Sequence, residues 1–156
     1  MANQWKNIIV HHSASGWGSA LFIDQWHKKR GWLGIGYHFV ILNGYSNSAD
    51  IKSQRRFDSL IGSVECGRTL DGDLWVQNEE IGAHALGMNK DSIGICLIHN
   101  TGIYHPTMIH SLMSIIDGLM RRFNIPADNV LGHNEVDSKK PLCPGIDMEM
   151  IRRYLR

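Results

Sequence analysis

Apolar positions in this chain change period several times, and each change marks an element. "KNIIVHH", residues 6–12, is a β-branched run ending in polar residues, the pattern of a buried strand that delivers side chains from its end. Ser19 then caps a predicted helix to about Arg30, with Leu21, Phe22 and Trp26 expected inward and "HKKR" at the end, where cations favour the dipole. "GYHFVILNG" (36–44) reads as a second strand closed by a turn. "GSVECGR" (62–68) and "DLWV" (73–76) are weaker strand candidates. "DSIGICLI" (91–98) is apolar on both faces and predicts a central strand.

The clearest helix follows Pro106. Ile109, Leu112, Met113, Ile116, Leu119, Met120 and Phe123 recur at three- and four-residue steps, and Pro126 sets the limit. "NVLGH" (129–133) predicts a short strand and "DMEMIRRYL" (147–155) a last helix. Strands and helices alternate without a glycine-rich phosphate loop. The expected fold is therefore α/β: a single three-layer domain over 1–156 with a central mixed β-sheet flanked by helices. Residues 45–60 fit neither period and predict a surface insertion, solvated or briefly helical, where Arg55 and Arg56 could meet a partner.

Composition narrows the function classes. At 156 residues and 43% hydrophobic content the chain can bury a core without staples. A net charge of +1 offers no field for nucleic acid or an anionic membrane. No apolar run approaches the roughly 18 residues of a spanning helix, and "MANQWKNIIV" lacks the pattern of a signal peptide. Synthesis in a cytoplasm is expected, and three cysteines argue against a disulfide framework. Nine histidines are the compositional oddity, and they invite a metal or acid–base reading.

That reading has one focus. "GHNEVDSKKPLCPG" (132–145) places His133 and Cys143 on one proline-bearing loop that can turn both side chains inward. Thiolate and imidazole suit zinc, and a catalytic site needs a third protein ligand. Strand ends are the natural source, and "VHHS" puts His11 and His12 at one. On spacing alone Cys143 can equally be a buried packing residue. The nucleobase deaminases are excluded, because their second thiolate would fall just beyond Cys143, where Pro144, Gly145 and Ile146 stand.

Six stretches in order, "IIVHHSAS", "QWHKKRGWLGIGYHFVI", "GSVECGR", "IGAHALGMNKDSIGICL", "GHNEV" and "CPGIDM", together resemble the zinc-dependent N-acetylmuramoyl-L-alanine amidases of the second type. That family includes small phage lysozymes and the peptidoglycan recognition proteins. The resemblance implies that His11 joins His133 and Cys143 on Zn²⁺, with His12 structural. It implies a catalytic role for Tyr37 of "GYHF", a loop-bracing role for Glu135, and substrate-groove positions for His84 and Asn89. His38 and His27 have weaker claims, and Trp17 and Trp32 are groove-wall or core residues.

One position departs from the pattern. Phage relatives often carry a catalytic lysine two residues before the third ligand, where this chain has Pro141; Lys140 is the substitute, with Lys139 its neighbour, unless both are solvated loop charges. Another branch uses a glutamate where this chain has Cys96, for which a buried apolar role is expected. The implied activity is hydrolysis of the amide between N-acetylmuramic acid and L-alanine in peptidoglycan, by a phage endolysin acting at the cell wall after release. A monomer is expected, with no nucleic-acid or membrane partner. The alternative is a non-catalytic peptidoglycan-binding module or a protein-binding regulator on the same fold.

Overall fold

The computed structural model describes residues 4–68 and 71–156. Residues 1–3, at the head of the stretch read for a leader, lie outside them. Among the described residues five strands form one sheet in the order β3-β2-β4-β1-β5. They are β1 (Asn7–His12), β2 (Phe39–Ile41), β3 (Val64–Cys66), β4 (Ser92–Leu97) and β5 (Val130–Gly132). β1 runs parallel to both β4 and β5, β2 is parallel to β4, and β3 is antiparallel to β2. The sheet is mixed, as expected. β4 is buried along its whole length, which its two-faced apolar run requires.

Strand alternation sorts the core into two layers. Ile8 and Val10 of β1 and Ile93, Ile95 and Leu97 of β4 pack on one face, under α3 (Pro106–Phe123) and α5 (Met148–Leu155). α3 buries Met108, Leu112, Ile116 and Leu119, one stripe at helical spacing, and ends on Asn124 in the left-handed conformation. On the opposite face Val40, Cys96 and Ile98 meet Ala20 and Ile23 of α1 (Ala20–Lys29). Ser19 caps that helix by accepting from Phe22 N at 3.3 Å.

The inward face of α1 differs from expectation. Ala20, Ile23, Asp24 and His27 are buried, whereas Leu21 is 58% exposed. Buried polar groups won the inner positions because each has a backbone partner: Asp24 Oδ1 accepts from Ile35 N (2.9 Å) and His27 Nδ1 from Gly36 N (3.0 Å). Trp26 is half-buried and packs against this layer as expected, and Phe22 and Trp26 join Trp17 in an edge-to-face aromatic group. Residues 73–76 are irregular rather than a strand; only Val76 there is buried, and the exposed Trp75 stacks against the Arg122 guanidinium at 3.3 Å. The 45–60 stretch holds a short helix, α2 (Ser48–Lys52), and a single 3₁₀ turn (Asp58–Leu60). In it Arg55 pairs with the buried Asp50 and Arg56 with Asp58. Among the described residues no helix is long and apolar enough to cross a membrane.

His38 ties three segments together. Its Nδ1 accepts from Gly94 N (2.9 Å) and its Nε2 reaches Glu80 O (2.6 Å). Burial holds its pKa down at about 4. The unfolded chain therefore takes a proton at this residue below about pH 6.5, while the folded chain does so only below about pH 4. Stability contributed by neutral His38 is complete above pH 6.5 and is lost as the pH falls toward 4, with a slope of up to ~1.4 kcal/mol per pH unit. Denaturant titrations at several pH values should show that His38→Asn has a shallower acid slope than the parent chain; an unchanged slope would remove His38 from this account.

Candidate functional site

The site forms where β1 ends. His11 and Cys96 are register partners on β1 and β4, and Val40 of β2 pairs with Cys96 on its other side, so a single row crosses the sheet on the α1 face. His11 is fully buried there. β5 pairs Val10 with Gly132, so the next residue, His133, falls beside His11 as the chain enters the short helix α4 (His133–Val136). Their ring centroids lie 4.4 Å apart.

Cys143 arrives on the following loop. Turns join Lys140 N to Asp137 O (3.0 Å) and Cys143 N to Lys140 O (3.1 Å). The Cys143 carbonyl accepts from Asn134 N at 2.7 Å, and the Pro144 carbonyl accepts from Tyr104 O–H at 2.6 Å. His12, pointing away from His11, holds the same loop: its Nε2 is 3.0 Å from Leu142 O, and its backbone N–H reaches Cys143 Sγ at 3.4 Å. Its Nδ1 accepts from Ala14 N, so both ring nitrogens serve the backbone.

His11, His133 and Cys143 thus offer three ligand atoms within 4.8 Å of one another, close enough to share one small cation. The donor set fits a metal on two further grounds. His11 Nδ1 is a buried polar atom with no hydrogen-bond partner among the described residues, a costly arrangement unless something accepts its lone pair. Burial also lowers the pKa of both histidines, which keeps them neutral as ligands must be. Burial pushes the Cys143 thiol up, opposed by the His12 amide and the Lys140 charge.

A groove of about 370 Å³ opens in front of this group. Tyr37, His27 and Trp32 form one wall, Ala83 to Leu86 and Asn89 the other, and His133, Asp137 and Lys140 the head. Burial, reinforced by the thiols of Cys96 and Cys143, holds the Tyr37 phenol well above its ordinary pKa, so it is an O–H donor at neutral pH. Its ring centroid lies 5.0 Å from that of His11. Of the two lysines left open by the sequence, Lys140 lines the groove and Lys139 does not. His84 lines it too, yet is only 8% exposed, with Nδ1 3.0 Å from His11 Nε2 and Nε2 3.3 Å from Ser92 O. Asn89 Oδ1 accepts from the backbone of both His84 (2.8 Å) and Ala85 (3.0 Å), which fixes that wall. Cys96 is fully buried, its thiol directed at Leu97 O at 3.8 Å.

Sequence reasoning passed over Arg30 and Asp137, both lining the groove, with an Asp137 oxygen 3.9 Å from His133 Nε2. Asp137 could have been found, since it stands four residues beyond a candidate ligand at the end of a helical turn. Arg30 carried no such signal within its run of basic residues. Trp32 forms groove wall, whereas Trp17 packs among aromatic rings.

Two imidazoles and a thiol gathered beside an open groove are a donor set suited to metal-assisted hydrolysis. The chain belongs to the N-acetylmuramoyl-L-alanine amidase family, whose model matches residues 1–146. It is similar to the endolysin of Enterobacteria phage K11 (31% identity over 132 residues, 81% of this chain and 70% of the relative). The endolysin of Escherichia phage T7 gives 30% over 134 residues with the same coverage. Among solved structures, the amidase LysC from Clostridium intestinale superposes with a TM-score of 0.72 at 27% identity, covering 99% of this chain and 88% of that one. Drosophila PGRP-LB gives 0.62 at 25%, covering 90% and 74%. The protein is a peptidoglycan amidase of the type related to peptidoglycan recognition proteins.

Glu135 is the brace behind His133. Its Oε2 accepts from Gly132 N (2.8 Å), and both carboxylate oxygens accept from Arg152 of α5 at 2.9 Å. The Arg152 hydrogen bonds hold its pKa below the ordinary glutamate value. Glu135→Ala should cost about 1–2 kcal/mol in denaturant unfolding, since charge-assisted hydrogen bonds are lost from a half-buried network. A variant of parental stability would mean that the brace carries no weight.

Proposed function

We propose that this amidase works as a zinc enzyme, with His11, His133 and Cys143 as the metal ligands and Tyr37 and Lys140 as the groups that stabilise charge on the scissile carbonyl. The observation that carries the reading is the buried His11 Nδ1, without a partner among the described residues, in a cluster with His133 and Cys143. Zinc bound there supplies two things an amide needs: a water with its pKa lowered toward about 7 and a polarised carbonyl. Tyr37 keeps its proton at neutral pH and can donate it in a hydrogen bond to the carbonyl oxygen as negative charge develops. Lys140 brings a cation to the head of the same groove. Trp32, Ala83, Ala85 and Leu86 orient the muramoyl peptide along the groove, with Asn89 holding that wall in place.

The substrate bond is the lactyl amide between N-acetylmuramic acid and L-alanine, and the similarity to phage endolysins supports an endolysin role at the cell wall after release. The domain acts as a monomer over 1–156, with 45–60 as an elaborated surface segment. No partner other than peptidoglycan is required by this scheme.

Digestion of purified walls followed by mass spectrometry of the released muropeptides tests the bond directly. Products without a free lactyl carboxyl on N-acetylmuramic acid and a free L-alanine amino terminus would overturn the assignment. Chelation should abolish turnover, and added zinc should restore it; full activity in metal-free protein would end the zinc reading. Tyr37→Phe should retain zinc while kcat falls by about 10²–10³, the usual effect of removing one oxyanion donor. A parental rate would take Tyr37 out of the chemistry.

A further inference from the structure

We propose that His84 is a positioning residue for the metal site: it fixes the tautomer of His11 and so aims the Nδ1 lone pair of His11 at the cation. The inference rests on the zinc reading above and assigns His84 a place behind the ligand rather than against the substrate.

The proton inventory leads there by elimination. Ser92 Oγ–H donates to Met88 O at 2.7 Å, so the Ser92 hydroxyl has no proton to give His84. What remains for His84 Nε2, buried beside it, is the Ser92 carbonyl at 3.3 Å, which only accepts. His84 Nε2 therefore carries the N–H. A neutral imidazole has one such hydrogen, so His84 Nδ1 is bare and can only accept. Its partner at 3.0 Å is His11 Nε2, which must donate. His11 is then the Nε2–H tautomer, and the nitrogen left bare is Nδ1, the same buried atom that lacks a partner among the described residues. The relay runs from the Ser92 carbonyl through two rings and ends on an unused lone pair beside His133 and Cys143.

The fold is shaped to hold His84 at this point. A Cβ on Gly94 would stand 2.6 Å from His84 Cγ and 2.8 Å from its Nδ1, so the ring lies directly on the glycine's backbone in β4. Asn89 grips the His84 backbone N–H from the other side at 2.8 Å. The two rings stand at 88° with 5.1 Å between centroids, an angle open to an N–H···N hydrogen bond because rotation about its axis is free. Partners of this kind set ligand orientation and basicity, and their loss weakens metal binding about 10–100-fold.

The test is zinc affinity, measured by competition with a chromophoric chelator, beside the unfolding midpoint of the metal-free proteins. His84→Leu should bind zinc about 10–100-fold more weakly. His84→Asn, whose amide oxygen can take the place of Nδ1 as acceptor, should recover much of that loss. Parental zinc affinity in His84→Leu, with a raised KM instead, would overturn the proposal in favour of a substrate contact. Should His84→Leu fail to fold, ¹⁵N chemical shifts of the parent protein's histidines, recorded without metal, still decide: Nε2–H is expected on His11, and Nδ1–H there refutes the relay. A parent chain that binds no zinc would sink the zinc reading alone, since the tautomer is measured separately.

Discussion

Everything at the site depends on the parallel pairing of β1 with β4 on one side and β5 on the other. The pairing Val10 to Gly132 brings His133 level with His11, and the pairing His11 to Cys96 sets the row that crosses the sheet. Side chains alternate between faces with period two, so a slip of one residue would turn His11 into the layer under α3. Register is protected because Ile8, Val10, Ile93 and Ile95 fill that layer and cannot be exchanged for the polar set without stranding a histidine in the core.

A second constraint follows from dryness. Imidazoles at 11, 27, 38 and 84 are all buried, and a buried ring needs its nitrogens satisfied. The protein meets this mostly with backbone: Gly36 N for His27, Gly94 N and Glu80 O for His38, and Ser92 O for His84. These bonds lock loops that have little regular structure, including the stretch of 80–91 that forms one groove wall. The polar interior is thus the scaffold of the groove as well as its lining.

Much of this was legible in the chain itself. Period and caps predicted α1, α3, α5 and the central strand closely, because each has a long signal with a clear end, such as Ser19 or Pro126. The short strand expected at 73–76 is absent, since three of its four residues face outward and a turn-rich stretch gave no partner edge. Burial on α1 was misjudged because apolar content is a poor guide where Asp24 and His27 have backbone amides to accept. At the site, spacing suggested His133 and Cys143 and left their third partner between His11 and His12. Alternation at the strand end puts His11, and not His12, beside them in the fold, which required knowing the face each residue takes.

The gathering of His11 from the first strand with His133 and Cys143 from the last fifth of the chain has a consequence for synthesis. Parallel β5 cannot pair with β1 until the chain has been made beyond Gly132, a contact between segments far apart in sequence. A ribosome-bound fragment that stops short of β5, however well its early helices fold, lacks two of the three candidate donor side chains. The site comes into being with its last strand, so no partly made domain can hold it.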